Sequence, residues 1–391
     1  MDKSKHGIVM KIGLCVFFSL LTISFASYAN TTVALLENKI DDIASGMIDS
    51  NGPGCSVGVI QNEKYLFKKS YGLASVEHSV ELNSKTKFRM ASVSKQFTAF
   101  AVLLLADDGK INLNDDIRKY LPDLHNYKES VTINSMLGHF SGMGDYDTLK
   151  ELLPKPLLSS AGGPFQLGDE DYLSNNEYYA MLKSLPLQTL PNQQQRYSNF
   201  AYNLLTLLVE KVSGVSFRQF TQQRIFNPLG MHDTFFADNK REVILNRAYG
   251  YRTNKENNLE VFMTNLYVVG DGGLFTTLDD MLRWDRNFYK PKLGEDPESL
   301  MEFMNTPNGD FPDTEENKWY YANGQYTDGR YFFHNGGWLG TSTSYIRRPD
   351  THTSVIAMCN SSSLNVNAIT YPIFQILLDL KLWEGEDPSI Y

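Results

Sequence analysis

Phe88-Arg89-Met90-Ala91-Ser92-Val93-Ser94-Lys95-Gln96-Phe97-Thr98-Ala99-Phe100 is the stretch around which the rest of the chain is arranged. It leaves a polar loop and enters an almost wholly apolar run, Phe97 to Ala106, that stops at Asp107-Asp108-Gly109. Val93, Phe97, Phe100 and Leu104 are spaced for one helix face, and Ala99, Ala101, Val102 and Leu103 fill the gaps. A helix that is apolar all round is a buried one, and Gly109 supplies a left-handed stop. Ser92 and Lys95 therefore share one face of its first turn. Free backbone N–H groups and the positive end of the helix dipole favour a developing anion there. A lysine one turn on can exchange a proton with the hydroxyl, which is the layout of an activated serine nucleophile. The same spacing recurs at Ser84-Lys85-Thr86-Lys87, but within the polar run Glu81 to Lys87 and with no apolar helix behind it. That copy reads as a solvated loop. The spacing at Ser92 also suits a plain helix cap with Lys95 reaching out to water, so the rest of the chain has to decide.

The chain has 391 residues, 42% of them hydrophobic, enough for a large core and two or three units. Its net charge is −9, and with no basic run it is a poor match for nucleic acid. Lys3, Lys5 and Lys11, the apolar run Ile12 to Phe25 and the small-x-small triplet Ser27-Tyr28-Ala29 read as a secretory signal over residues 1–29. Its removal leaves a mature net charge of −11, a periplasmic or secreted location, and no stable membrane anchor. Cys15 is not a lipid site, because Leu14 precedes it where a small residue is expected. Only Cys55 and Cys359 then remain, so there is no disulfide framework and no cysteine zinc site. Export permits the two to pair, and the sequence leaves that open.

Residues 31–50 carry Val33, Leu36, Ile40, Ile43 and Met47 at helical period, ending at Asn51-Gly52-Pro53-Gly54. Cys55 to Ile60 and Tyr65 to Tyr71 read as a strand hairpin. After the buried helix comes a region of helices and loops, including a helix Tyr202 to Val212 stopped by Gly214 and an irregular loop Pro154 to Asp171. Beyond a helix Thr277 to Tyr289, short strands are expected at Trp319 to Tyr326, Tyr331 to His334, Thr341 to Arg347 and Ser354 to Cys359. A closing helix runs from Ala368 to Trp383. The fold class is α+β: an antiparallel sheet flanked by helices, built from 30–110 and 261–391, interrupted by a mostly helical domain, 111–260.

Two further motifs join the Ser-Lys pair. Tyr197-Ser198-Asn199 precedes the helix near Tyr202, and His334-Asn335-Gly336-Gly337 ends a short aromatic strand. In this order, the three resemble the serine beta-lactamase and penicillin-binding-protein superfamily, in the branch of class C beta-lactamases, D-alanyl-D-alanine carboxypeptidases, D-aminopeptidases and related esterases. Leu137-Gly138-His139-Phe140-Ser141-Gly142-Met143, Asn227-Pro228-Leu229-Gly230-Met231 and Gly270-Asp271-Gly272-Gly273-Leu274-Phe275-Thr276-Thr277 match it as well. His139, Ser141 and Pro228 are taken as scaffold. The resemblance covers about 40 to 385.

The resemblance implies catalytic roles for Ser92 as acylated nucleophile and for Lys95 and Tyr197 as the pair that moves its proton, with the base left open between them. It implies substrate binding by Asn199, His334, Asn335, Gly336 and Gly337. The N–H groups of Ser92 and Gly337 would form the oxyanion hole, and His334 would face the substrate's carboxylate end. Two departures stand out: Pro191-Asn192-Gln193 replaces the usual Pro-Gly turn, and His334 replaces the lysine of true class C enzymes. An unperturbed imidazole titrates near ~6.5, so a pH-dependent preference for carboxylate substrates is expected. No cofactor or metal is called for. The expected function is a serine hydrolase acting through an acyl-enzyme on a small-molecule or peptide substrate. D-amino-acid peptides such as a peptidoglycan stem come first; a carboxylesterase or weak beta-lactamase, or a non-turnover penicillin-binding sensor, are the alternatives.

Overall fold

The computed structural model describes residues 33–146, 148, 174–313, 318–380 and 382. The expected leader, the loop Pro154 to Asp171 and Trp383 at the expected end of the closing helix lie outside them.

The centre is a seven-stranded antiparallel sheet. Its strands in chain order are β1 (Cys55–Gln61), β2 (Lys64–Tyr71), β3 (Tyr320–Ala322), β4 (Gln325–Thr327), β5 (Phe332–Trp338), β6 (Thr341–Arg348) and β7 (Thr353–Cys359). They lie side by side as β3-β4-β5-β6-β7-β1-β2, so the first and last strands of the chain meet in mid-sheet. β7 is buried throughout, and its alternation feeds two cores. Val355, Ala357 and Cys359 point one way, with Val57 and Val59 of β1, against helix α1 (33–47) and the closing helix, which spans Asn367–Asp379. Ile356 and Met358 point the other way, into a larger core shared with α2 (Lys95–Asp107), α4 (Asn199–Ser213) and α5 (Leu278–Asn287). Another helix, α3 (Asn175–Ser184), starts at a capping box formed by Ser174 and Glu177. The closing helix is α6.

α2 is buried along almost its whole length, as its composition requires. Its polar residues are tied internally. Gln96 Oε1 accepts from Trp284 Nε1 at 2.8 Å, and Thr98 Oγ1 donates to the Gly270 carbonyl at 2.7 Å. The sequence reading differs from the structure at two strands. Trp319 to Tyr326 is not one strand: Asn323 and Gly324, both at positive φ, turn β3 back into β4. A Cβ on Gly324 would lie 2.5 Å from the Gln96 backbone nitrogen, so this hairpin tip rests on the start of α2. Nor does His334-Asn335-Gly336-Gly337 end a strand. β5 runs through both glycines, which pair with Thr343 and Ser342 of β6. Cys55 and Cys359 face each other across β1 and β7 and form a disulfide.

Candidate active site

Ser92 lies in a 3₁₀ turn, Ala91–Ser94, that runs directly into α2. Ala91 has φ +45°, a left-handed backbone that a residue with a side chain adopts at a cost, and it sets the turn that presents Ser92. β5 lies against this turn: a Cβ on Gly336 would fall 2.3 Å from the Met90 carbonyl oxygen. Thr343 Oγ1 fastens the same carbonyl at 2.8 Å.

Lys95 Nζ is fully buried and has three partners. It stands 3.1 Å from Ser92 Oγ, 2.7 Å from Asn199 Oδ1 and 2.7 Å from the Asp271 carbonyl oxygen. The amide and carbonyl oxygens can only accept, so each takes a proton from Nζ. In the neutral amine this uses both N–H bonds and leaves the lone pair for the Ser92 hydroxyl. Burial pushes the Lys95 ammonium down to about 8, while Asp271 and Asp145 act in the opposite direction. Asn199 Nδ2 donates to Asp145 Oδ1 at 2.8 Å, which fixes the amide orientation. Burial in turn raises the Asp145 carboxyl, against its hydrogen bonds from Asn199 and Tyr146.

Tyr197 packs its ring 4.9 Å from Lys95 Nζ and 4.2 Å from the His139 ring. Its hydroxyl is buried and directed at Ser92, whose hydroxyl lowers the phenol without outweighing burial. Burial holds that phenol well above its ordinary range, so it stays protonated at neutral pH. The loop bearing it is anchored by His139, whose Nδ1 accepts from the Ser198 N–H at 3.1 Å and whose carbonyl accepts from the Arg196 N–H at 2.6 Å. These bonds bring Tyr197 in without a Pro-Gly turn. Ser198 also caps α4 through the Ala201 N–H.

The expectations for His334 need correcting. Its Nδ1 is 2.6 Å from the Asn335 carbonyl, which can only accept, so Nδ1 carries the proton. Nε2 therefore accepts from the Tyr321 hydroxyl at 3.0 Å. Burial, and after it the charge of Lys95, push the imidazole down to about 3. It is neutral throughout pH 6–8 and does not offer a charge to a carboxylate. Gly336 is also turned inward, against Met90, and the Asn335 carbonyl is occupied by His334. Gly337 is the exposed residue of this motif and lines the chamber beside Ser92.

That chamber has a volume of about 110 Å³. Ser92, Asn199 and Gly337 open onto it, with Arg89, Tyr146, Asp271 and Trp338. The Tyr146 and Trp338 rings pack with centroids 4.9 Å apart, and Tyr146 Oη donates to Asp271 Oδ2 at 2.5 Å. Asp145 and Tyr146 went unnoticed in the sequence, where nothing separates them from other polar and aromatic loop residues. Arg89 and Asp271 lie inside stretches the sequence did single out, beside residues that drew the attention. Among the described residues no group of His, Cys, Asp and Glu could hold a metal ion, and no helix is long and apolar enough to cross a membrane.

Residues 40–378 match the family model described as Beta-lactamase. Penicillin-binding protein 4* of Bacillus subtilis (strain 168) is 30% identical over 312 residues, covering 75% of this chain and 65% of the relative. A D-aminopeptidase of Gluconobacter oxydans (strain 621H) is 29% identical over 257 residues, covering 66% of this chain and 46% of the relative. The chain thus spans between about half and two thirds of the length of these relatives. Among solved structures, an octameric penicillin-binding protein homologue from Pyrococcus abyssi superposes with a TM-score of 0.73 at 24% identity, over 89% of this chain and 77% of the other. A model match over most of the chain, together with a superposable fold, carries the assignment: the chain belongs to the beta-lactamase family of serine hydrolases.

Proposed function

We propose that this protein hydrolyses D-amino-acid-containing peptides or amides through an acyl-enzyme on Ser92. The observation that carries the reading is the three-point hold on Lys95, which aims an amine of lowered basicity at the Ser92 hydroxyl. Lys95 takes the Ser92 proton as Oγ attacks the carbonyl carbon. The N–H groups of Ser92 and Gly337 receive the developing oxyanion, a contribution of about 3–4 kcal/mol per donor in comparable sites. Tyr197, protonated and directed at Ser92, gives its proton to the departing nitrogen and regains one from the Lys95 ammonium. In the second half, water takes the place of the leaving group, the same pair removes its proton, and the carboxylate product departs from Ser92. Asn199 holds Lys95 and presents its amide to the substrate. The relatives named as a D-aminopeptidase and a penicillin-binding protein favour D-amino-acid substrates over simple esters.

Export belongs to the same reading. It is supported by the lysine-rich, apolar, Ser27-Tyr28-Ala29 leader and by a disulfide of the kind that persists in oxidising compartments. The sheet parts 30–110 and 261–391 and the helical part 111–260 meet at α2, which carries the nucleophile's base.

The test is turnover on a panel: a D-Ala-D-Ala peptide, a D-amino-acid amide, a short-chain ester and a cephalosporin, with parent and Ser92→Ala. Steady turnover of the D-amino-acid substrates, lost in Ser92→Ala but kept in Ser84→Ala, is expected. A single burst without turnover on every substrate would make the protein a sensor instead. Activity surviving in Ser92→Ala would remove the nucleophile from the reading.

A further inference from the structure

The family chemistry uses Ser92, Lys95, Tyr197 and Asn199, and leaves one cation of the chamber without a task. Arg89 lines it three residues before the nucleophile. Its Nε and Nη1 are shut off from solvent and have no hydrogen-bond partner. Arg247, whose backbone bridges to Lys87 on the same edge, also has a buried Nε with no partner. Five other arginines treat their charge differently. Arg118, Arg218, Arg224, Arg283 and Arg348 each hold a carboxylate, within 2.9 Å or closer.

A guanidinium has five donors and no acceptor, and buried donors left without an acceptor are costly. Two such groups within electrostatic reach of each other compound the cost. Burial and the Arg247 charge lower the Arg89 guanidinium, which Tyr267 and Asp271 only partly offset. Asp271 shares the chamber and attracts Arg89, but no hydrogen bond joins the two, and its Oδ2 accepts from Tyr146. Aromatic faces support both cations without supplying an acceptor, Tyr267 at 6.0 Å from Arg89 and Phe275 at 5.3 Å from Arg247. What Arg89 lacks is a hydrogen-bonded anion, and it opens onto the chamber. The chamber walls also include Leu266 and Val268, suited to a short apolar spacer.

We infer that Arg89, backed by Arg247, forms a carboxylate-binding subsite for the acyl half of the substrate. The planar fork suits a carboxylate, which it can hold through two parallel hydrogen bonds. The acyl half is indicated because Tyr197, which hands the proton to the leaving group, does not line the chamber that holds Arg89. The class of acyl donor is therefore one carrying a carboxylate a few carbons from the scissile carbonyl, as an acidic D-amino-acid side chain does. This inference rests on the proposed acylation of Ser92.

The experiment compares phenyl hemiadipate with phenyl hexanoate, which differ in the terminal charge, in parent, Arg89→Gln and Arg247→Gln. The parent is expected to favour the hemiadipate in kcat/KM by about tenfold or more, the scale of a charge-assisted hydrogen bond. Arg89→Gln should abolish that ratio and Arg247→Gln reduce it. A ratio unchanged in folded Arg89→Gln overturns the subsite while leaving the hydrolase reading intact. Should Arg89→Gln fail to fold, the parent's ratio decides, and no preference for the hemiadipate overturns the subsite. If neither ester is turned over, calorimetric binding of adipate monoamide and hexanamide decides. Binding of the charged compound alone, weakened in Arg89→Gln, supports the subsite, and equal or absent binding overturns it.

Discussion

Replacing Asp145 by asparagine tests whether Lys95 is the base, because it changes a charge without changing the shape of the clamp. With Lys95 titrating at about 8, the neutral amine is about 1% of the parent at pH 6 and about half at pH 8. The acylation rate constant, read as kcat/KM, should therefore climb through this range and level off above about pH 9. Asp145 sits behind Asn199, through bonds of 2.7 and 2.8 Å on the two sides of one amide. That puts its charge about 7 Å from the ammonium, worth up to about 2 kcal/mol at an effective dielectric of about 20. Asp145 is half-buried, and water screens part of this, so a change of about one pH unit is the working figure. The sign is fixed: the carboxylate favours the ammonium, so its loss lowers the Lys95 pKa. The midpoint is expected to move from about 8 toward about 7, with kcat/KM several-fold higher at pH 6.5 relative to the plateau. Measurements belong above pH 6, where the neutral amine becomes appreciable. A midpoint that stays put or moves upward would refute Lys95 as the titrating base.

Four further outcomes follow from the geometry. His334 is neutral when folded, down to about 3, whereas the unfolded chain binds its proton near ~6.5. Its contribution to stability is thus complete above about pH 6.5 and lost as pH falls toward 3; urea unfolding at pH 7.5 and 4.5 should show a smaller loss in His334→Asn. The same neutrality makes the ratio of carboxylate to ester kcat/KM insensitive to His334→Gln between pH 6 and 8, and a ratio that flattens only in the variant would restore the pH-reader role. Gly336→Ala sets a Cβ 2.3 Å from the Met90 carbonyl and from Thr343 Oγ1, so melting should register a loss of about 1–3 kcal/mol and kcat should fall with the displaced turn. Cys55→Ala, or reduction, opens a link between residues 304 apart, and a loss of about 2–5 kcal/mol in denaturant titration is expected, with no effect counting against the pairing.

The legible parts of this chain were those fixed by local pattern. Phe97 to Leu105 could only be a buried helix, and the spacing of Ser92 and Lys95 put two reactive groups at its mouth whatever lay around them. Cys55 to Ile60 and Ser354 to Cys359 were recognisable as strands from their β-branched runs, but not as neighbours. Register between distant strands is a tertiary property, so the disulfide stayed open. The Asn323-Gly324 hairpin carried a local signal that was passed over inside an aromatic run. His334 misled for a different reason. Its ordinary pKa is a property of water, and only the fold supplies the burial, the Lys95 charge and the Tyr321 hydroxyl that remove its proton. Asp145 and Arg89 likewise gain meaning only from what surrounds them, one behind Asn199 and the other facing the chamber.

The neighbouring positions of β1 and β7 also bear on the order in which the protein comes off the ribosome. Ser92 and Lys95, the proposed nucleophile and base, are made early, and Asn199 arrives about a hundred residues later. The strand that braces the serine's turn spans Phe332–Trp338, and the one that seats β1 in mid-sheet ends at Cys359. Until then β1 has a partner on one side only, and joining the two ends closes a loop of 304 residues, an entropic cost of about 5 kcal/mol that the finished sheet offsets. A nascent chain therefore holds its reactive serine without the lining that activates it. Any fragment ending before β5 lacks both the Gly337 N–H and the contact that holds Met90, so the chamber is complete only with about the final sixth of the polypeptide.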